Sequence, residues 1–540
     1  MRQRKIASRM TPPGRTRARQ RLPLLLCSVL AFCGLTRASR AADEIGPAVQ
    51  QARASFAASL EELAKWCDAN GLPPEAAKTR AWCGPRDPYK FYLAQLPKLI
   101  GPPPPPPDAS PQAIEWHARF QRLRQDQANT LYELARKAIR AQRASLGYEL
   151  ALNAVRENPD HEALRKLMGY QKFKDQWCTP YEFRKLRAGQ AWTNRFGWLP
   201  AAQATRYEQG QRFSQGKWVS AEEDARQHRS IDNGWQVETE HYNIVTNHSL
   251  ETGVALGVKL EKLYRVWQQL FVRFYATQAQ VLAMFDGRRP TPTETPRHQV
   301  VLFRAKEEYQ QALRPRFPNI EITVGAYVAQ TKRAYFFVDN PQDDRTLFHE
   351  ATHQLFHESR PVPKDVGLRC NFWVIEGIAM FMESLHDEDG FHVLGGLEDE
   401  RLVAARYRLL HDNFYIPLAN FTGYGMERLQ KDKNVATLYS QAAGLTHFFI
   451  YSDAGEHRDS LVAYLSTVYS GRDEPDTLAR LVGKPYPELD RQYRRFMQES
   501  LKHLPATPEV QPEPKPQPAA TPQPKRSSPN PTTRSNQGRR

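Results

Sequence analysis

From Asp343 to His357 the apolar residues Leu347, Ala351 and Leu355 recur at every fourth position, which predicts a helix with one stripe packed inward. Immediately upstream, Ala334-Tyr335-Phe336-Phe337-Val338 is a β-branched and aromatic run that predicts a buried strand. Asp339-Asn340-Pro341 between them supplies a turn, with Asn340 as the helix cap and Pro341 in the first helical position. The acidic pair Asp343 and Asp344 suits the positive end of that helix. Asn371 to Leu385 is a second helical pattern, with Trp373, Glu376, Met380 and Glu383 along one face. Earlier, Trp235, Val237 and Thr239 alternate as a strand, Leu250 to Tyr275 is helical, and Val300 to Phe303 is an apolar strand. Val324 to Val338 reads as a hairpin turning near Thr331-Lys332. This order predicts an α+β fold over residues 231–504: a mixed sheet with helices, then a helical half from Asn371 to Leu504.

Ahead of residue 231 the pattern is mainly helical. Residues 43–101 read as a helical hairpin, and the run Pro102 to Pro107 opens a stiff linker over 102–111. In the helical region 112–230, Tyr148-Glu149-Leu150-Ala151-Leu152-Asn153 with Asn158-Pro159-Asp160 and Ala163-Leu164 is patterned like one tetratricopeptide-like hairpin, too few units for a solenoid. Two echoes follow, Trp177-Cys178-Thr179-Pro180-Tyr181-Glu182 and Trp218-Val219-Ser220-Ala221-Glu222-Glu223. Each sets a tryptophan two residues before a capping box, Thr179 with Glu182 and Ser220 with Glu223. They predict small docking modules, and with them an envelope protein as a partner of this region.

The net charge of +16 suggests nucleic acid until it is located. The first 42 residues hold ten basic side chains and no acidic ones, and 505–540 carries a net +4, which leaves +2 for residues 43–504. A nearly neutral body lacks the footprint that phosphate binding requires. Leu22 to Leu35 is an apolar stretch too short to span a bilayer, and Ser39-Arg40-Ala41 offers a cleavage site. Residues 1–42 therefore read as a secretory signal with a basic leader, an uncleaved anchor being the alternative. The chain is expected to be secreted, periplasmic or in the cell envelope, with no stable membrane span after cleavage and a disordered Pro-rich basic tail over 505–540. Of the cysteines beyond the signal, Cys67 with Cys83 and Cys178 with Cys370 form one of three pairings, and four free thiols are the alternative.

The segment His349-Glu350-Ala351-Thr352-His353 carries the chain's sharpest chemistry. Two histidines four apart on a helix lie one turn, roughly 5.4 Å, apart along the axis, so both imidazoles reach one metal ion. Glu350 between them points near the same cavity, where it can take a proton from metal-bound water. A catalytic zinc site wants a third protein ligand, and Glu376, 23 residues after His353, leaves room for a loop and a returning helix. Gly377 beside it lets two helices approach closely. His357, a turn further on, reads as helix-end surface or as a group behind the ligands, since the metzincin arrangement has a different spacing.

Glu376-Gly377-Ile378-Ala379 after the histidine pair resembles the gluzincin metallopeptidases, nearest the secreted bacterial peptidase-MA-like proteins, over roughly Gly234 to Leu504. The resemblance implies a zincin-like catalytic domain, Zn2+ held by His349, His353 and Glu376, Glu350 as general base, Glu383 behind the ligands, and a peptide or protein substrate. In the related aminopeptidases a tyrosine some 60 residues past the glutamate ligand stabilises the oxyanion. The resemblance assigns that role to Tyr439, 63 residues after Glu376, although its glycine is displaced. The Gly-x-Met-Glu-Asn exopeptidase signature is absent, and Gly325 to Ala329 stands where a substrate-binding edge strand belongs. His447 follows on the same helix face as Tyr439, either lining the cleft or structural. A zincin scaffold without turnover and a zinc hydrolase of a non-peptide amide are the rival readings.

Overall fold

A computed structural model of the chain describes residues 26–82, 87–102, 104–288, 296–317, 320–338 and 344–504, and of 26–44 and 322 the backbone only. Most of the predicted signal, Cys83, the Asn340-Pro341 turn with Asp343, and the 505–540 tail lie outside the described residues.

The fold is α+β. Helix α1 (Leu26–Ala69) turns at Gly71, whose φ of +73° suits a residue without a Cβ, and α2 (Pro73–Ala81) returns. Leu60, Leu63, Ala64 and Cys67 meet Leu72 and Ala76, and Trp116 and Phe120 of α3 (Pro111–Arg140) close a small separate core over them. The helical hairpin expected over 43–101 therefore ends at Ala81, and Lys90–Ala94 is a strand, β1, with Phe91 and Leu93 turned inward. Ser110 ends the proline-rich linker and caps α3 through Ala113 N at 3.1 Å. Helix α4 (Ala144–Glu157) packs on α3, but the second half of the expected tetratricopeptide-like pair is only Glu162–Leu167.

Three hairpin-and-helix modules follow rather than the predominantly helical stretch expected to residue 230. They are Gln171–Phe173 with Gln176–Cys178 and Pro180–Arg187, Gln190–Thr193 with Gly197–Pro200 and Ala204–Glu208, and Gln211–Ser214 with Lys217–Ser220 and Ala221–Gln227. The two echoes in the sequence are the first and third. Thr179 and Glu182 form the reciprocal capping box. Ser220 accepts from Glu223 N, but the Glu223 carboxylate turns to Arg226 and Gln227 instead.

Strands β2 (Trp235–Glu238), β3 (Tyr242–Thr246), β4 (His298–Phe303), β5 (Ala326–Val328) and β6 (Arg333–Phe337) form one mixed sheet in the order β5-β6-β4-β3-β2. Its centre is parallel and both outer pairs are antiparallel. Alternation along β4 and β6 divides two cores: Val300, Leu302, Ala334 and Phe336 join the main one beneath α5 (Leu250–Leu270), while Val301, Phe303, Tyr335 and Phe337 pack on Tyr309 and Leu313 opposite. Helix α6 (Asp344–Glu358) buries Leu347, Ala351 and Leu355 on the main core, the stripe read from the sequence.

Every residue of α7 (Phe372–Met382) is buried. A Cβ on Gly377 would collide with Thr446 Oγ1 and lie 2.8 Å from Ala442 O, both on α9 (Val435–Tyr451). The close helix approach that Gly377 permits is thus to α9, not to the histidine helix. Between α7 and α9, β7 (His386–Glu388) and β8 (Phe391–Gly395) form a hairpin, and β1 pairs antiparallel with β8 from Lys90↔Gly395 to Ala94↔Phe391. Helix α8 (Glu400–Leu410) follows the hairpin. The N-terminal region is tied to the helical half again by Asp459 Oδ1, which accepts from Ser145 N and Oγ at 3.0 and 2.8 Å, and by Arg458 with Glu149 at 2.9 Å.

Cys178 and Cys370 are separate buried thiols, Cys178 directed at Gln171 O and Cys370 at Asp473 Oδ2, so the pairing between them is corrected. Among the described residues no helix is long and apolar enough to cross a membrane.

Candidate metal centre

Helix α6 presents two imidazoles on one side because their residues are four apart, and α7 brings Glu376 opposite. His349 Nε2 and His353 Nε2 lie 3.1 Å apart, and the Glu376 carboxylate oxygens are 3.5 Å from the first and 3.8 Å from the second. A tetrahedral zinc with bonds of about 2.0–2.1 Å spaces its ligand atoms about 3.4 Å apart. The three donors, two nitrogens and one carboxylate, therefore fit zinc in kind and in spacing. His357 is not among the converging groups; its Nδ1 faces the Tyr327 hydroxyl at 3.5 Å.

Glu350 Oε2 accepts from Tyr327 N at 2.8 Å, and Tyr327 lies at the middle of β5, the edge strand of the sheet. The strand expected at Gly325 to Ala329 is thus present as Ala326–Val328, and one of its backbone donors holds the glutamate of the histidine motif.

Glu383 closes α7, its side chain only 3% exposed. Its Oε1 sits 2.8 Å from His349 Nδ1. The same carboxylate receives Arg401 Nε at 2.9 Å and Nη2 at 3.0 Å, with Arg345 Nη2 at 3.5 Å. Arg401 is set in the first turn of α8, where Asp399 caps the helix by accepting from Arg401 N and Leu402 N. Neither arginine was legible as part of the site, since nothing in the local sequence around Arg345 or Arg401 points to a carboxylate on another helix.

These charges set the proton affinities. Burial alone would lower the His349 imidazole, but its bonds to Glu376 and Glu383, with the charge of Glu350, hold it up to about 10. Burial, with the neighbouring His349 adding to it, takes His353 below its ordinary value despite the nearby glutamates. Burial raises the Glu376 carboxyl, yet His353 and His349 bring it below the usual range, and His349 with Arg401 does the same for Glu383. The contacts to Glu376 and Glu383 thus keep a proton on His349.

Tyr439 is half-buried early in α9, and burial, then the charge of Glu376, pushes its hydroxyl up, opposed by a bond to Gln430 and aided to a smaller extent by Glu350. It therefore keeps its proton and lies within electrostatic reach of both glutamates. His447, further along α9, is fully buried against Phe381 and Tyr451, with Nδ1 at the Ala443 carbonyl, and is structural.

No protein-family model matches the chain, and no curated protein sequence matches it significantly.

Proposed function

We propose that the chain is an exported zinc-dependent hydrolase of peptide bonds, of the gluzincin kind. The observation that carries this reading is the convergence of His349, His353 and Glu376 beside a glutamate, Glu350, whose carboxylate is bonded to the backbone of an edge strand.

His349 and His353 through Nε2, with Glu376 through its carboxylate, would hold the ion. Bound zinc supplies an acidified water and a Lewis acid for the scissile carbonyl. Tyr327 N–H fixes Glu350 Oε2, and Glu350 takes the proton of the attacking water and passes it to the leaving amine. Tyr439, protonated and near both glutamates, donates to the oxygen that becomes negative. Edge strand β5 runs beside Glu350 at the margin of the sheet, which favours a peptide lying along it over another amide, although its central N–H is already given to Glu350.

The test is hydrolysis of a mixed peptide library by the zinc-loaded chain and by Glu350→Gln. Cleavage by the first and loss in the second supports a peptidase. No cleavage by a chain that binds zinc would shift the reading to a silent scaffold or a non-peptide amide.

A further inference from the structure

We propose that Arg401 and Arg345 are positioning residues that dedicate Glu383 to His349, keeping that carboxylate out of the metal sphere and fixing which imidazole nitrogen faces the ion. The inference rests on the zinc reading above.

Three glutamates surround His349: Glu376 at 3.5 Å from Nε2, Glu383 at 2.8 Å from Nδ1, and Glu350 next to it in the chain. Each is chemically able to bind a cation, so something must assign their roles. Both oxygens of Glu383 are engaged: Oε1 by His349 Nδ1 and Arg401 Nη2, Oε2 by Arg401 Nε and Arg345 Nη2. A bidentate guanidinium defines the plane of a carboxylate as well as its charge. Held in that plane, Glu383 takes the hydrogen of His349 Nδ1, so that Nε2, the nitrogen facing His353 and Glu376, is the one that gives up its proton to a metal ion. The clamp also joins three elements, since Arg345 begins α6, Glu383 ends α7 and Arg401 begins α8.

A guanidinium near the centre also repels the cation. The Arg401 side chain is 44% exposed and screened by water, whereas Glu383 at 3% is not, so loss of orientation outweighs relief of repulsion.

Zinc affinity is measured by competition with a chromophoric chelator on the full chain, for wild type, Arg401→Gln, Arg401→Lys, Glu383→Gln and the double variant Arg401→Gln/Glu383→Gln. Thermal melting of the chelator-treated proteins runs beside it. Arg401→Gln is expected to weaken zinc about tenfold or more, the scale found for partners behind metal ligands. Arg401→Lys should recover part of the loss. Once Glu383 is changed, Arg401→Gln should cost nothing further, because the arginine acts through that carboxylate. Wild-type zinc affinity in Arg401→Gln, or additive losses in the double variant, overturns the proposal. So does a fall in metal-free melting temperature that by itself accounts for the weaker binding. A wild-type chain that takes up no zinc overturns the zinc reading itself, a distinguishable result.

Discussion

The Glu350 carboxylate accepts a hydrogen bond from the backbone nitrogen of Tyr327 at 2.8 Å, so the motif's glutamate is aimed by a strand rather than by its own helix. Glutamine in its place keeps an oxygen for that bond and loses the capacity to take a proton. Glu350→Gln is therefore expected to bind zinc as wild type while kcat falls by about 10²–10⁴-fold. Steady-state kinetics on a cleaved library peptide, with metal analysis of the same samples, gives the answer; a variant that turns over normally removes Glu350 from the base role.

In the metal-free protein His349 holds its proton up to about 10, from an ordinary value of 6.5, because the bonds to Glu376 and Glu383 outweigh burial. A folded value above the unfolded one stabilises the metal-free fold fully below about 6.5, and that contribution is lost as pH rises through about 10. Zinc bound as proposed would have to displace that proton. At pH 7–8 uptake should release about one proton, measured by calorimetric titration in buffers of different ionisation enthalpy. Zinc binding without proton release would contradict the charge arrangement described for the centre.

Burial first, and then the charges of Glu376 and Glu350, raise the Tyr439 hydroxyl, which therefore stays a donor. Tyr439→Phe should leave zinc content unchanged and lower kcat about a hundredfold or more, as for other lost oxyanion donors. Unchanged kcat would move the oxyanion role to another group.

The histidine helix, the strand before it and the edge strand were legible because each is local: a fourfold stripe, a β-branched run, a hairpin. That Glu376 lies beside the histidine pair was legible because its helix follows directly. β1 was not, because a five-residue strand whose partner, β8, lies far along the chain leaves no periodicity that separates it from its helical surroundings. The middle module escaped notice for a sharper reason. Its helix, Ala204–Glu208, follows Gln203 without a side-chain cap, so the Ser/Thr signal that marks its two neighbours is missing there. Asn371, left-handed at φ +58°, starts α7 by bonding Asp473 and Glu474 rather than by capping, a role set by residues a hundred positions away.

β1 also changes what the N-terminal region is for. Phe91 is buried against Tyr451, with the Arg458 guanidinium 4.1 Å from its ring centre. Phe91→Ala should destabilise the chain by about 3–5 kcal/mol, and a chain starting at Gly234 should melt lower still, since it leaves one edge of β8 unpaired. Thermal melts and limited proteolysis test both. An equally stable, soluble 234–504 fragment would show the region to be a detachable attachment.

The central claim is one zinc held by His349, His353 and Glu376, and the most direct measurement is metal content by elemental analysis of the purified chain, prepared without chelator, beside His349→Ala. About one zinc per chain, lost in the variant, is the expected result. No zinc in either protein after reconstitution, or equal zinc in both, would contradict it.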